Sequence, residues 1–113
     1  MSKICIFCQI IFGYLNSEKV FENNRLLAFK DSMPVAPIHI LIIPKLHITS
    51  IEDLSFQDDK LFSEMMLSAN YIAKKEHCKS YRLVFNEGND AGQSVFHLHM
   101  HLLGGRIMLW PPG

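Results

Sequence analysis

His97-Leu98-His99-Met100-His101-Leu102-Leu103, followed by Gly104 and Gly105, sets three imidazoles one apolar residue apart. Only an extended backbone gathers them, because alternate side chains of a strand point to the same face. A helix would splay the rings to different sides. In a strand they line one face at intervals of about 6.6 Å. Leu98, Met100 and Leu102 then face the core, which fixes the register. The segment is expected to be both a strand and a site.

Upstream of it, Asn86-Glu87-Gly88-Asn89-Asp90-Ala91-Gly92 is a polar, glycine-bearing loop that follows a strand expected at residues 81–85. Residues 20–22 and 26–29 read as two short strands joined by the turn-prone Asn23-Asn24. Pro34 and Pro37 bracket a loop, and the β-branched run at 39–43, closed by Pro44, reads as a central strand buried on both faces. Ser55 and Asp58 form a capping pair at a helix start. Leu61, Phe62, Met65, Ala69, Ile72 and Ala73 then recur at three- and four-residue spacing, giving one long amphipathic helix. Asp58 and Asp59 in its first turn and Lys74 and Lys75 in its last suit the helix dipole. This Met and Phe stripe reads as core rather than as a cofactor box. Strands grouped before and after a single long helix indicate an α+β fold with a mainly antiparallel sheet.

A chain of 113 residues is expected to form one domain with one core. Its hydrophobic share of 49% and charged share of 19% are those of a compact soluble protein. Eleven basic and eleven acidic side chains cancel. Neither nucleic acid nor an anionic membrane is then the expected partner, which leaves a small molecule or another protein. Residues 4–15 are apolar, but Gln9 and two cysteines interrupt them and no small-x-small cleavage pattern follows. The stretch is also too short to span a bilayer, and it reads as a first helix or turn packed on the core. Three cysteines without a secretory signal imply reduced thiols and a cytoplasmic protein, or one shared with the nucleus.

Three histidines in strict alternation admit two functional readings. One is a metal site. The other is a nucleophile with helpers, since imidazole is largely neutral at pH 7 and attacks phosphorus or acyl centres in that form. The preceding loop favours phosphorus if Gly88, Gly92, Gln93 and Ser94 offer backbone N–H groups and a hydroxyl to an anion; an ordinary turn is the alternative. Cys5-Ile6-Phe7-Cys8 supplies half of a zinc site or a redox disulfide, although no βαβ pattern of the thioredoxin kind surrounds it. Trp110-Pro111-Pro112-Gly113 cannot be a regular element, so its indole is loose or docked on a second subunit.

Taken together, these segments resemble the histidine-triad (HIT) superfamily, and most closely its Hint branch of nucleotide-binding proteins. The resemblance rests on the triad, Cys5-Ile6-Phe7-Cys8, Leu27-Ala28-Phe29-Lys30-Asp31, Ala36-Pro37-Ile38-His39 and Ile43-Pro44-Lys45-Leu46-His47-Ile48. Asn86-Glu87-Gly88, Gly92-Gln93-Ser94-Val95-Phe96 and the run from Gly104-Gly105-Arg106 to Trp110-Pro111-Pro112-Gly113 extend it over nearly the whole chain.

The resemblance implies a five-stranded antiparallel sheet with one long and one short helix, and a homodimer whose sheets join across a two-fold axis. It implies purine nucleotide binding and hydrolysis of nucleoside 5′-phosphoramidates. His99 would attack the α-phosphorus to form a nucleotidyl-histidine, while His101 and His39 orient or shuttle the proton of the leaving amine. Ser94, Asn86 and the backbone of Gly92, Gln93 and Ser94 would hold the phosphate oxygens. Asp31 would bind the ribose, Ile6, Phe7, Ile10 and Phe29 would sandwich the base, and Trp110 would contribute to the substrate site. Cys5, Cys8, His47 and His97 would hold a structural zinc, with no cofactor needed for catalysis. Lys30 stands where many Hint proteins carry histidine, and Ser32 where isoleucine is usual, which makes one wall of the base pocket smaller and more polar. A dinucleoside polyphosphate hydrolase of the fragile-histidine-triad branch ranks lower, because that branch lacks the Trp-Pro-Pro-Gly end. A non-enzymatic nucleotide-binding scaffold would use the same pocket.

Overall fold

A computed structural model describes residues 5–113. Ile4, the first residue of the apolar N-terminal stretch, lies outside them. Helix α1 (Ile6–Ile11) opens on Cys5, whose sulfur accepts the Cys8 N–H. Five strands follow: β1 (Lys19–Glu22), β2 (Leu26–Lys30), β3 (Ile38–Pro44), β4 (Tyr81–Val84) and β5 (Met100–Gly104). They form one antiparallel sheet in the order β1-β2-β3-β5-β4. The long helix α2 (Asp59–Lys75) crosses between β3 and β4. The expected α+β class holds, with short 3₁₀ turns over Ile51–Asp53, Phe56–Asp58 and Asn89–Ala91 added to it.

The β-branched run at the centre of the chain is the central strand of the sheet, and it is buried on both faces. Strand parity divides the core in two. Leu26, Ala28, Ile40, Ile42, Met100 and Leu102 face α2 and pack against Met65, Ala69, Ile72 and Ala73. Leu27, Phe29, Leu41 and Ile43 face the other way and pack against Phe7 and Ile10 of α1. His39 precedes Ile40 and therefore shares the α1 face with Leu41. Register pairs Leu41 with His101, which brings that imidazole to the same face.

Two details of the helix differ from the sequence expectation. The Ser55–Asp58 capping box forms, but it caps the 3₁₀ turn that leads into α2 rather than α2 itself. Phe62 is not core: it is exposed on the outer face and touches Phe85, with ring centroids 5.4 Å apart.

Candidate active site

The histidine segment is only partly strand. Ladder pairing begins at Met100, so of the three imidazoles only His101 lies within β5. Residues 97–99 run alongside the loop after β3 instead, where the Leu98 N–H donates to Ile48 O at 2.6 Å. The reason is length: β4 and β3 pair with β5 no further back than Val84↔His101 and Ile42↔Met100. Facing still alternates. Leu98, Met100 and Leu102 enter the core against α2, while His97 and His99 are buried against Phe7 and His101 is half-buried.

Backbone groups dictate which nitrogen of each ring carries its proton. His99 Nδ1 lies 2.8 Å from the carbonyl of His97, which can only accept. His99 is therefore protonated on Nδ1 and keeps a lone pair on Nε2. His39 is fixed the opposite way. The Val35 N–H donates to His39 Nδ1 at 3.1 Å, so the proton of the neutral ring sits on Nε2. That Nε2–H faces two acceptors, His101 Nδ1 at 2.9 Å and Asp31 Oδ2 at 3.3 Å. Because His101 Nδ1 accepts, the proton of neutral His101 is on Nε2.

Burial favours the neutral form of His39, His101 and His97. It lowers the proton affinity of His39 against the opposing pull of the Asp31 carboxylate. It pushes His101 down to about 4, helped by the neighbouring His99 and His39. His97 is also held at about 4, by burial first, against the Pro44 carbonyl.

His97 belongs to a different group. Its Nε2–H donates to Pro44 O at 2.8 Å, which leaves Nδ1 as a free ligand atom. That nitrogen lies 3.1 Å from His47 Nδ1, 3.4 Å from Cys5 Sγ and 3.6 Å from Cys8 Sγ, and Cys8 Sγ is 3.3 Å from His47 Nδ1. A tetrahedral cation with zinc-like bond lengths sets its ligands about 3.4 Å apart for two nitrogens and about 3.6 Å for nitrogen and sulfur. The four residues therefore match both the donor set and the edge lengths of such a site. Burial beside Cys5 pushes the Cys8 thiol up to about 11, so a cation's charge is what would hold it as thiolate.

Asp31, His39 and His101 also converge, but their donor set does not suit a metal. With Nδ1 of His39 occupied by the Val35 N–H, a metal on Nε2 would require an imidazolate. The group is a hydrogen-bond relay.

The loop before the triad binds itself more than the expectation allowed. The N–H groups of Gly88, Gly92 and Gln93 donate to Gln93 Oε1, Asn89 O and Gly88 O. The Gln93 amide donates in turn to Thr49 O and Val95 O. Gly92 and Gln93 therefore shape the loop and do not offer those backbone donors to an anion. Positive φ angles of 86° at Gly88 and 95° at Gly92 explain the glycines. Ser94 is exposed and Asn86 half-buried, so both side chains remain available.

Asp31 accepts the Met33 N–H on Oδ1, with Oδ2 toward His39. Phe7, Ile10 and Phe29 are buried in the α1-side core and form a floor, whereas Ile6 is exposed. Trp110 does not join this group within the protomer. Its indole is exposed, with the Arg82 guanidinium 5.9 Å from the ring centre. Sequence reasoning missed Val35, which acts through its backbone and so carries no signal in its side chain.

A model of the HIT domain matches residues 13–108. An uncharacterised HIT-like protein of Synechococcus elongatus is 42% identical across 100% of both chains. The crystal structure of a HIT family hydrolase from Legionella pneumophila superposes with a TM-score of 0.93 at 47% identity, covering 96% of this chain and 99% of that one. A histidine triad protein from Clostridium difficile gives 0.91 at 41%, covering 96% and 97%. On fold, triad and likeness alike, the chain belongs to the HIT family.

Proposed function

We propose that the protein is a hydrolase of the Hint type, cleaving the P–N bond of purine nucleoside 5′-phosphoramidates through a covalent nucleotidyl-histidine. The observation that carries this reading is the lone pair on His99 Nε2, held there by the His97 carbonyl. It attacks the α-phosphorus, the new N–P bond forms, and the bond to the amine breaks. The departing amine takes up one proton. His101 is the donor beside it. With substrate bound, the phosphate's negative charge raises that ring's proton affinity; the ring takes a second proton from solvent, gives its Nε2–H to the amine and returns to neutrality. Water then attacks the phosphorus, passes its proton to His101 Nε2, releases the nucleoside monophosphate and frees His99. Ser94 and Asn86 hydrogen-bond the phosphoryl oxygens, Asp31 the ribose, and Ile6 covers the base above the Phe7–Phe29 floor.

Cys5, Cys8, His47 and His97 hold a zinc ion that braces α1 against the sheet and stands outside the chemistry. The protein acts as a homodimer. Support comes from the open edge of β4 and from exposed apolar side chains at Met66, Leu67, Tyr71, Leu109 and Trp110. Incubation with an adenosine phosphoramidate followed by rapid acid quench and mass spectrometry tests the reading. A nucleotidyl adduct on His99, absent in His99→Ala, is the expected result. Turnover that persists in His99→Ala overturns it.

A further inference from the structure

The relay that gives His101 its proton position starts outside the site. Residues 32–37 form a loop whose Val35 side chain is exposed, yet both backbone groups of Val35 are engaged. Its N–H donates to His39 Nδ1 at 3.1 Å, and its carbonyl accepts Arg106 Nε at 3.1 Å. Arg106 follows β5 directly, and its own NH1 donates to Ile107 O. Gly105, at φ +87°, brings its bare Cα against Pro37, where an added Cβ would lie 3.0 Å from the proline ring. The turn after β5 thus grips the loop at two points, and the loop reaches His39 directly through the Val35 amide hydrogen and, by way of Asp31, through the Met33 N–H.

We infer that Val35, anchored by Arg106, is a positioning residue that locks His39 and through it His101 into the Nε2–H tautomer, opposite to that of His99. This rests on the reading of His99 as nucleophile and His101 as donor. Without the Val35 N–H, His39 can carry its proton on Nδ1, opposed by the Asp31 carboxylate, whose Oδ2 lies 3.3 Å from Nε2. His101 then becomes the donor to His39 Nε2 and turns a bare Nε2 toward the leaving group. Two neighbouring rings would hold the same kind of lone pair, and the division between nucleophile and donor would be lost. Arg106 is exposed, and among the described residues its guanidinium hydrogen-bonds Val35 O and Ile107 O rather than a ring, so its effect on the imidazoles is carried by the backbone of Val35.

Long-range ¹H–¹⁵N spectra of the imidazoles in the full-length protein at pH 7.5 test this without substrate. Wild type is expected to show His99 as the Nδ1–H form and His39 and His101 as Nε2–H forms. Val35→Pro removes the amide hydrogen and should bring the Nδ1–H form of His101 to about nine-tenths of the population, the shift that a tenfold loss of the competent tautomer requires. Arg106→Ala should act in the same direction, with Arg106→Lys restoring part of the loss. With an adenosine phosphoramidate, kcat of these variants should fall about tenfold while KM moves less than threefold, the split expected of a lost donor rather than lost binding. A wild-type His101 protonated on Nδ1 overturns the inference. So do folded variants with unchanged tautomers, or with changed tautomers and unchanged kcat. If Val35→Pro does not fold, Arg106→Ala decides. A wild type that turns over no phosphoramidate overturns the proposed reaction instead, and the tautomer spectra still decide the lock.

Discussion

His99 and His101, with ring centroids 5.0 Å apart, carry their protons on opposite nitrogens because one answers to a carbonyl and the other, through His39, to an amide. The roles of two chemically identical side chains are therefore set by backbone groups.

Substitutions at the two rings should separate these roles. His99→Ala removes the attacking atom and is expected to abolish turnover and adduct formation together. His101→Gln keeps an N–H donor of similar reach, whereas His101→Ala removes it. The alanine variant should lose about 10²–10⁴-fold in kcat, the usual range for one general acid–base group, and the glutamine variant less. Single-turnover quench kinetics measure both. Equal losses in the two His101 variants would deny the ring's N–H its role.

The division between what could and could not be read from the chain follows the same line. Alternation at residues 97–102 announced two opposed faces, and those faces are present. The pairing partners that decide where a ladder starts lie on β3 and β4, so the sequence expectation of a strand from residue 97 ran three residues too long. Cys5, Cys8, His47 and His97 were legible only through a family pattern, because ligands separated by up to 92 positions share no periodicity. By residue type alone the loop glycines fit anion donors and an ordinary turn equally well. Their N–H groups are consumed by Gln93 and by the loop's own carbonyls, which composition does not reveal. Val35 stayed silent because its contribution is an amide that every residue but proline has.

Metal content and stability should move together. One zinc per protomer is expected under reducing conditions, and Cys8→Ser or His47→Ala should lower it well below one. A site saturated about 1,000-fold above its Kd stabilises the folded state by about 4 kcal/mol, so chelation should lower the thermal midpoint by several degrees. Elemental analysis beside thermal unfolding, with and without chelator, checks both. A full zinc complement in Cys8→Ser would remove that thiol from the site.

Acid should weaken the fold in a defined window. His101 is held at about 4 when folded and returns to about 6.5 when unfolded, and His39 is shifted in the same direction. Between these values the unfolded chain binds more protons than the folded one, so stability falls as pH drops. It is fully present above about 6.5, and the loss is complete below about 4. For the half-buried His101 ring the cost is on the order of 2 kcal/mol. Urea unfolding from pH 8 to pH 4 should show this slope, and His101→Gln should flatten it in part, because His97, also held at about 4, contributes in the same window. A slope unchanged in that variant would assign the titration elsewhere.

Gly104 tests how tightly the end of β5 is built. It pairs with Ile38 and Tyr81 at once, and a Cβ there would collide with Cys78 Sγ and sit 3.2 Å from Ser80 O. Gly104→Ala should destabilise the protein by about 1–3 kcal/mol, the range for overfilling a packed site. Cys78→Ala alone removes a buried sulfur and should cost about 1 kcal/mol or more. In the double variant the added methyl group occupies the space the sulfur left, so the two costs should sum to less than their parts, with a coupling of about 1 kcal/mol. Because Gly105 and Arg106 follow directly, Gly104→Ala should also disturb the grip on the Val35 loop and lower kcat, and Cys78→Ala should restore it. Denaturant unfolding of the four members of the cycle, with kcat measured on each, checks the argument. Strict additivity would mean that the sulfur does not set the limit at Gly104 and that the Ser80 carbonyl does.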